Sequence, residues 1–178
     1  MRDGYSIFET TCGWMGIVEG EKGLRRIFLP HTNPEDIEAT IRRTFPQASQ
    51  NARAIEPATS IFAHYFEGES IPADLPVDWS GYPTFSIKVW RTAQTIPWGK
   101  VRSYKWVSLR MKRPFASRAI GNALGKNPFP ILVPCHRVVR SDGRLGGFSA
   151  PSGIALKRKM LEMEGLKFDA KGRVRLQR

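Results

Sequence analysis

Cysteine and histidine are scarce in this chain of 178 residues, with two of the first and three of the second. That scarcity excludes a disulfide-stapled scaffold and leaves little for a structural zinc centre, which needs three or four such ligands. Cys12, His31 and His64 have no convincing ligand spacing, so no metal is expected. Long apolar runs are missing as well. None approaches the roughly 20 residues needed to cross a bilayer, so no membrane partner is expected. Met1-Arg2-Asp3-Gly4-Tyr5 lacks the basic-then-apolar pattern of a secretion signal, which leads to the expectation of a cytoplasmic protein whose two thiols stay free. Low-complexity tracts and internal repeats are absent too. What remains, 41% hydrophobic and 25% charged residues, suffices for one ordinary core or two small ones.

Acidic residues are also in deficit, 16 against 28 Lys and Arg, and the deficit is uneven. Residues 1–75 hold 7 Lys and Arg against 11 Asp and Glu, whereas 76–178 hold 21 against 5. Solubility alone does not need such a split. A domain that meets a polyanion does, and nucleic acid is the leading partner.

The acidic part shows strand-like segments at Tyr5 to Thr11 and Gly23 to Leu29, then Pro34-Glu35-Asp36 opening a helix through Ile37, Ile41 and Phe45. This reads as a small α/β unit. Pro and Asp collect around Ile71 to Pro76, predicting a linker there and a boundary near residues 75–80. The basic part reads as mostly helical. Thr84 precedes Phe85, Val89, Trp90 and Ala93 at helical spacing, and Pro97-Trp98-Gly99 stops that helix. Ser103 stands where an N-cap belongs, ahead of Tyr104 to Leu109, and Pro114 breaks the chain before Ala116 to Gly121. Two short helices joined by a basic turn form a helix-turn-helix candidate.

Beyond it, Asn127-Pro128-Phe129-Pro130-Ile131-Leu132-Val133-Pro134 delivers Cys135-His136-Arg137. A thiol attacks as thiolate, so a nucleophilic cysteine needs basic or positive neighbours, which His136 and Arg137 offer. In extended chain, neighbouring side chains point to opposite sides, so His136 is expected to reach the sulfur through water. Without such company, Cys12 reads as a structural residue.

The segment Pro134-Cys135-His136-Arg137 resembles the active-site signature of the O6-alkylguanine-DNA alkyltransferases, the methylated-DNA–protein-cysteine methyltransferases. The resemblance extends in order over Val77-Asp78-Trp79 with Phe85, Val101-Arg102-Ser103-Tyr104, Ser117 to Gly121, Gly146-Gly147-Phe148-Ser149, Leu161 and Gly165. It implies an N-terminal ribonuclease-H-like α/β domain over 1–76 and a DNA-binding, alkyl-transfer domain over 77–178. It also implies DNA repair by irreversible, single-turnover transfer of an alkyl group from O6 of guanine to Cys135, with O4 of thymine a lesser substrate. The partner so implied is double-stranded DNA containing O6-alkylguanine, met by a cytoplasmic, nucleoid-associated monomer without a cofactor.

By the same resemblance, Glu164 orients His136, His136 draws the thiol proton through water, and Asn127 holds the backbone between recognition helix and active-site strand. Glu162 competes for the carboxylate role, and Glu164 is preferred because it precedes Gly165. A base inside a duplex cannot be reached for in-line displacement, so it must be rotated out. Arg118 matches the arginine that fills the vacated space, Tyr104 the tyrosine that donates to N3 of the guanine, and Ser103 and Arg137 are placed at the DNA. Pro130, Val138, Gly146, Gly147, Phe148 and Ser149 are expected to line the guanine pocket. Two departures stand out. Phe148 occupies a place where several relatives carry tyrosine, and the turn Arg110-Met111-Lys112-Arg113 is bulkier and more basic than the family's small-residue version.

Overall fold

The structure is a computed structural model that describes residues 3–72 and 74–176, and the backbone alone of 52–57. Met1, Arg2 and Ala73, which fall in the segments read as N-terminus and linker, lie outside the described residues. The chain is a mixed α/β protein dividing into two compact units, Met1–Ser80 and Gly81–Arg178.

The first unit is built on a sheet in the order β3-β2-β1-β4. Strands β1 (Gly4–Thr10), β2 (Gly13–Gly20) and β3 (Gly23–His31) form an antiparallel meander, and β4 (Ser49–Gln50) adds in parallel beside β1. Each hairpin turns over two residues and closes at a glycine, Gly13 with φ +116° and Gly23 with φ +107°, a conformation that L side chains rarely adopt. Helix α1 (Pro34–Thr44) lays Ile37 and Ile41 on the sheet, against Tyr5, Val18 and Phe28. Gly16 permits that approach, since a Cβ there would lie 2.5 Å from Ile37 Cγ2. Helix α2 (Ala52–Tyr65) contributes fully buried Phe62 and Tyr65.

This unit continues to Ser80. The reason is backbone pairing. Leu24 N donates to Pro76 O at 2.8 Å and Asp78 N donates to Leu24 O at 2.9 Å, so 76–78 lies along the β3 edge.

In the second unit, α3 (Thr84–Gln94) buries Val89, Trp90 and Ala93. The Trp90 indole donates to Ala123 O at 2.9 Å, tying α3 to α5 (Ser117–Gly125). Before α5 comes α4 (Tyr104–Arg110), whose N-cap Ser103 accepts from Trp106 N at 3.0 Å. The α4–α5 turn is held by Arg113 N to Ser108 O at 2.8 Å, with Lys112 in the left-handed region at φ 55°. Short strands β5 (Arg102–Ser103) and β6 (Val138–Val139) pair in parallel, and α6 (Gly153–Met163) packs Leu161 with Val101, Val139, Leu145, Leu166 and Val174. No helix among the described residues is long and apolar enough to cross a membrane.

Candidate active site

Cys135 opens a single 3-10 turn, Cys135–Arg137, that leads into β6. The extended geometry expected of this segment is absent, so Cys135 and His136 are not related by the alternation of a strand. Two bonds set the turn. Cys135 N donates to Val133 O at 2.7 Å and Arg137 N donates to Pro134 O at 2.9 Å. Upstream, Val133 N reaches Phe129 O at 2.7 Å, with Ile131 at φ 74°, a rare state for a β-branched residue. Asn127 braces this segment with both ends of its amide: Nδ2 donates to Val133 O at 2.9 Å and to Cys135 Sγ at 3.2 Å, and Oδ1 accepts from Phe129 N at 3.0 Å.

His136 is fully buried, and its Nε2 lies 2.7 Å from Glu164 Oε1. Burial lowers the imidazole pKa and outweighs the opposing pull of Glu164, so the ring is neutral at physiological pH. For Glu164, burial alone would raise the carboxyl, but hydrogen bonds and charge from His136 and Arg137 win and bring it to about 2. An ionised carboxylate accepts only, which places the imidazole proton on Nε2. Nδ1 is then the basic nitrogen, and the pair is set to take up a proton.

Arg137, expected at the DNA, is buried instead. Its Nε and Nη2 hold the two Glu164 oxygens at 2.8 and 3.0 Å, and Nη1 donates to Ile96 O at 2.8 Å. Gly99 N adds a donor to Glu164 Oε2 at 3.3 Å. An arginine spent on a buried carboxylate reaches no phosphate and does not supply the positive charge beside the sulfur. Glu162 is exposed and pairs with Arg158 at 2.8 Å, away from His136.

The cation that acts on Cys135 is Lys157, a residue the sequence reading passed over. It is 1% exposed on α6 and donates to Val138 O at 2.7 Å and Leu145 O at 2.8 Å. Burial brings its pKa to about 8, and its charge and that of Cys135 favour each other. The expectation that the neighbourhood lowers the thiol's pKa does not hold in the resting site. Burial raises it, and the Asn127 hydrogen bond and Lys157 offset only part of that. Cys135 therefore rests as a thiol beside a neutral base. Lys157→Met should raise it further, shifting the pH profile of Cys135 alkylation by iodoacetamide to higher pH; an unmoved profile would remove Lys157 from this role.

Tyr104 begins α4 with its ring between α5 and the glycine loop. A Cβ at Gly121 would meet Tyr104 Cε1 at 3.8 Å, and one at Gly146 would meet Tyr104 Oη at 3.2 Å. Gly146 also needs its φ of +72°. Burial first, and the Cys135 charge second, raise the Tyr104 pKa, so its hydroxyl stays a donor. Phe148 turns its ring to Lys157, whose Nζ lies 5.9 Å from the centroid. A Cβ on Gly125 of α5 would lie 3.4 Å from Ser149 Oγ, whereas Gly147 is exposed with open space at its Cα. Pro130 and Val138 are buried below. Ser103 caps α4, and Arg118 stands exposed at the second residue of α5. A groove of about 730 Å³ between α3 and the end of α4 is lined by Lys88, Arg91, Arg110 and Arg113 among others. Among the described residues, no group of three or more His, Cys, Asp or Glu is placed to hold a metal ion.

Known proteins resemble this chain over most of its length. Residues 84–166 match the family described as 6-O-methylguanine DNA methyltransferase, DNA binding domain. The constitutive methylated-DNA–protein-cysteine methyltransferase of Bacillus subtilis is 34% identical over 94% of this chain and 98% of its own length. The methylated-DNA–protein-cysteine methyltransferase of Mycolicibacterium paratuberculosis is 37% identical over 75% of this chain and 79% of its own. Among solved structures, OGT of Mycobacterium tuberculosis in complex with DNA superposes with a TM-score of 0.75 at 32% identity, over 90% of this chain and 92% of that one. Sharing 34% identity with such a relative over 94% of its length, the chain belongs to the methylated-DNA–protein-cysteine methyltransferase family.

Proposed function

We propose that this protein repairs DNA by moving the alkyl group of O6-alkylguanine onto Cys135, once per chain. The observation that carries the reading is that one 3-10 turn brings together two hydrogen-bonded pairs, Cys135 with Asn127 and His136 with Glu164. Arrival of the alkylated base draws the proton from Sγ, by way of water, to His136 Nδ1, and Glu164 stabilises the imidazolium. The thiolate attacks the alkyl carbon. The S–C bond forms as the C–O bond breaks, and the electron pair leaves with the purine. Tyr104 donates a hydrogen bond to N3 of that purine as negative charge develops, with Lys157 holding the thiolate charge beforehand. The thioether product is not hydrolysed under mild conditions, and the chain carries no cosubstrate motif to restore the thiol.

In this reading α4 and α5 are a helix-turn-helix lying in the minor groove, with Arg118 entering the space left by the rotated base. Pro130, Val138 and the loop Gly146–Ser149 enclose the guanine. The unit 81–178 is the DNA-binding and transfer domain of a monomer at the nucleoid. The other unit is ribonuclease-H-like, a reading supported by its antiparallel meander with a parallel fourth strand.

Arg118→Ala tests the flipping role. Rotation out of the stack costs a few kcal/mol, so the mutant should slow repair of duplex O6-methylguanine by roughly 10- to 100-fold relative to its reaction with free O6-benzylguanine. Rate constants for both substrates decide it. Equal slowing of the two would assign Arg118 to the pocket or the fold.

A further inference from the structure

Phe115 is 98% exposed, against 53% for Leu109 and 52% for Ile154, the other exposed large hydrophobic side chains among the described residues. Its backbone is not loose. Pro114 O accepts from the Ser108 hydroxyl at 3.3 Å, Ala116 N donates to Arg113 O at 3.0 Å, and Ile120 N donates to Ala116 O at 2.9 Å. The turn thus presents a whole phenyl ring to solvent just ahead of α5, three residues before Arg118 in the chain. Exposing such a ring forgoes the free energy that its burial would give, which suits a side chain buried only in a complex.

Charge selects the partner. Lys112, Arg113 and Arg118, which flank Phe115 in the chain, are all exposed, and no Asp or Glu occurs anywhere between Asp78 and Asp142. A second copy of this chain would bring cation against cation at this face. A polyanion with an apolar interior does not. Proteins that work in the minor groove insert phenylalanine and similar wedges between stacked bases, with arginine and lysine on the flanking phosphates.

We propose that Phe115 is such a wedge, entering a base step beside the lesion and loosening the stack from which the alkylated base is rotated. The proposal rests on the reading of α4–α5 as the DNA-binding element. It adds a second inserted side chain with a task different from that of Arg118: Phe115 opens a neighbouring step, and Arg118 occupies the vacated place.

The test uses the full-length protein and a duplex with 2-aminopurine next to a single O6-methylguanine, since 2-aminopurine brightens when unstacked. With Cys135→Ser in the background to prevent turnover, the Phe115→Ala protein should lose most of the brightening produced when Phe115 is present, and Phe115→Trp should keep it. In the Cys135 protein, Phe115→Ala should lower the ratio of the duplex repair rate to the free O6-benzylguanine rate by about tenfold, reflecting a lost unstacking contribution. Unchanged brightening with an unchanged ratio overturns the wedge and leaves DNA repair standing. A change in sedimentation with an unchanged ratio assigns the ring to self-association and also overturns it. Failure of the unmutated protein to react with the duplex at all overturns the DNA reading itself.

Discussion

Cys135→Ser should abolish alkyl transfer while duplex affinity stays within about twofold of the unmutated protein. The expected loss is on the order of 10⁴-fold or more, the scale that follows removal of an enzyme nucleophile. The resting site explains why serine does not substitute. Burial already raises the Cys135 thiol, with Asn127 and Lys157 offsetting part of that, and in the proposed mechanism a neutral His136 draws off its proton. A hydroxyl is far less acidic, and the same network cannot ionise it. Rapid-quench assays on a labelled duplex give the rate, and fluorescence anisotropy gives the affinity. Serine-dependent transfer within tenfold of the unmutated rate would show that the sulfur is not the acceptor.

Glu164→Gln is expected to damage the fold as well as the chemistry. Glu164 is 4% exposed and holds His136, Arg137 and Gly99 N together. Its pKa falls from an ordinary 4.5 to about 2, which corresponds to about 3 kcal/mol of stability. The sign is that of a depressed carboxyl. The contribution is complete above the unfolded value and is lost as pH drops from about 4.5 through about 2. Removing the charge leaves Arg137 buried without its partner, a loss of about 3–5 kcal/mol, or a melting temperature lower by about 10 °C at neutral pH. Transfer measured below that lowered midpoint should still be slow, because His136 loses the anion that stabilises its protonated form. A melting temperature within about 2 °C of the unmutated protein would contradict the central place given to Glu164.

Helix periodicity and capping are the local signals that the structure follows. The Thr84–Ala93 periodicity becomes α3, Ser103 caps α4, and Ile37 and Ile41 face the sheet from α1. Strand β2 is not legible as a strand because Trp14 to Val18 is apolar without alternation, as befits a segment whose consecutive residues Met15 to Val18 are all buried. The two residues of β4 carry no pattern at all, and the Pro76–Asp78 pairing to Leu24 is nonlocal. The site divides in the same way. Cys135, His136, Asn127 and Tyr104 are recognisable by their neighbours in sequence. Arg137 is misjudged because its partner Glu164 lies 27 residues away, and a charge beside a reactive cysteine reads naturally as exposed. Lys157 did leave a signal. It lies among Leu156, Met160 and Leu161, the other buried residues of α6, and a lysine on an apolar face is buried at a cost that only a role repays.

The central claim is that Cys135 is the final resting place of the alkyl group. Mass spectrometry of the digested protein, after mixing with excess duplex carrying one O6-methylguanine, tests it most directly. The peptide containing Cys135 should gain the mass of one methyl group in every chain, with the reaction stopping at one equivalent of repaired guanine. Methyl found on any other peptide, or repair continuing past one equivalent per chain, would contradict the account.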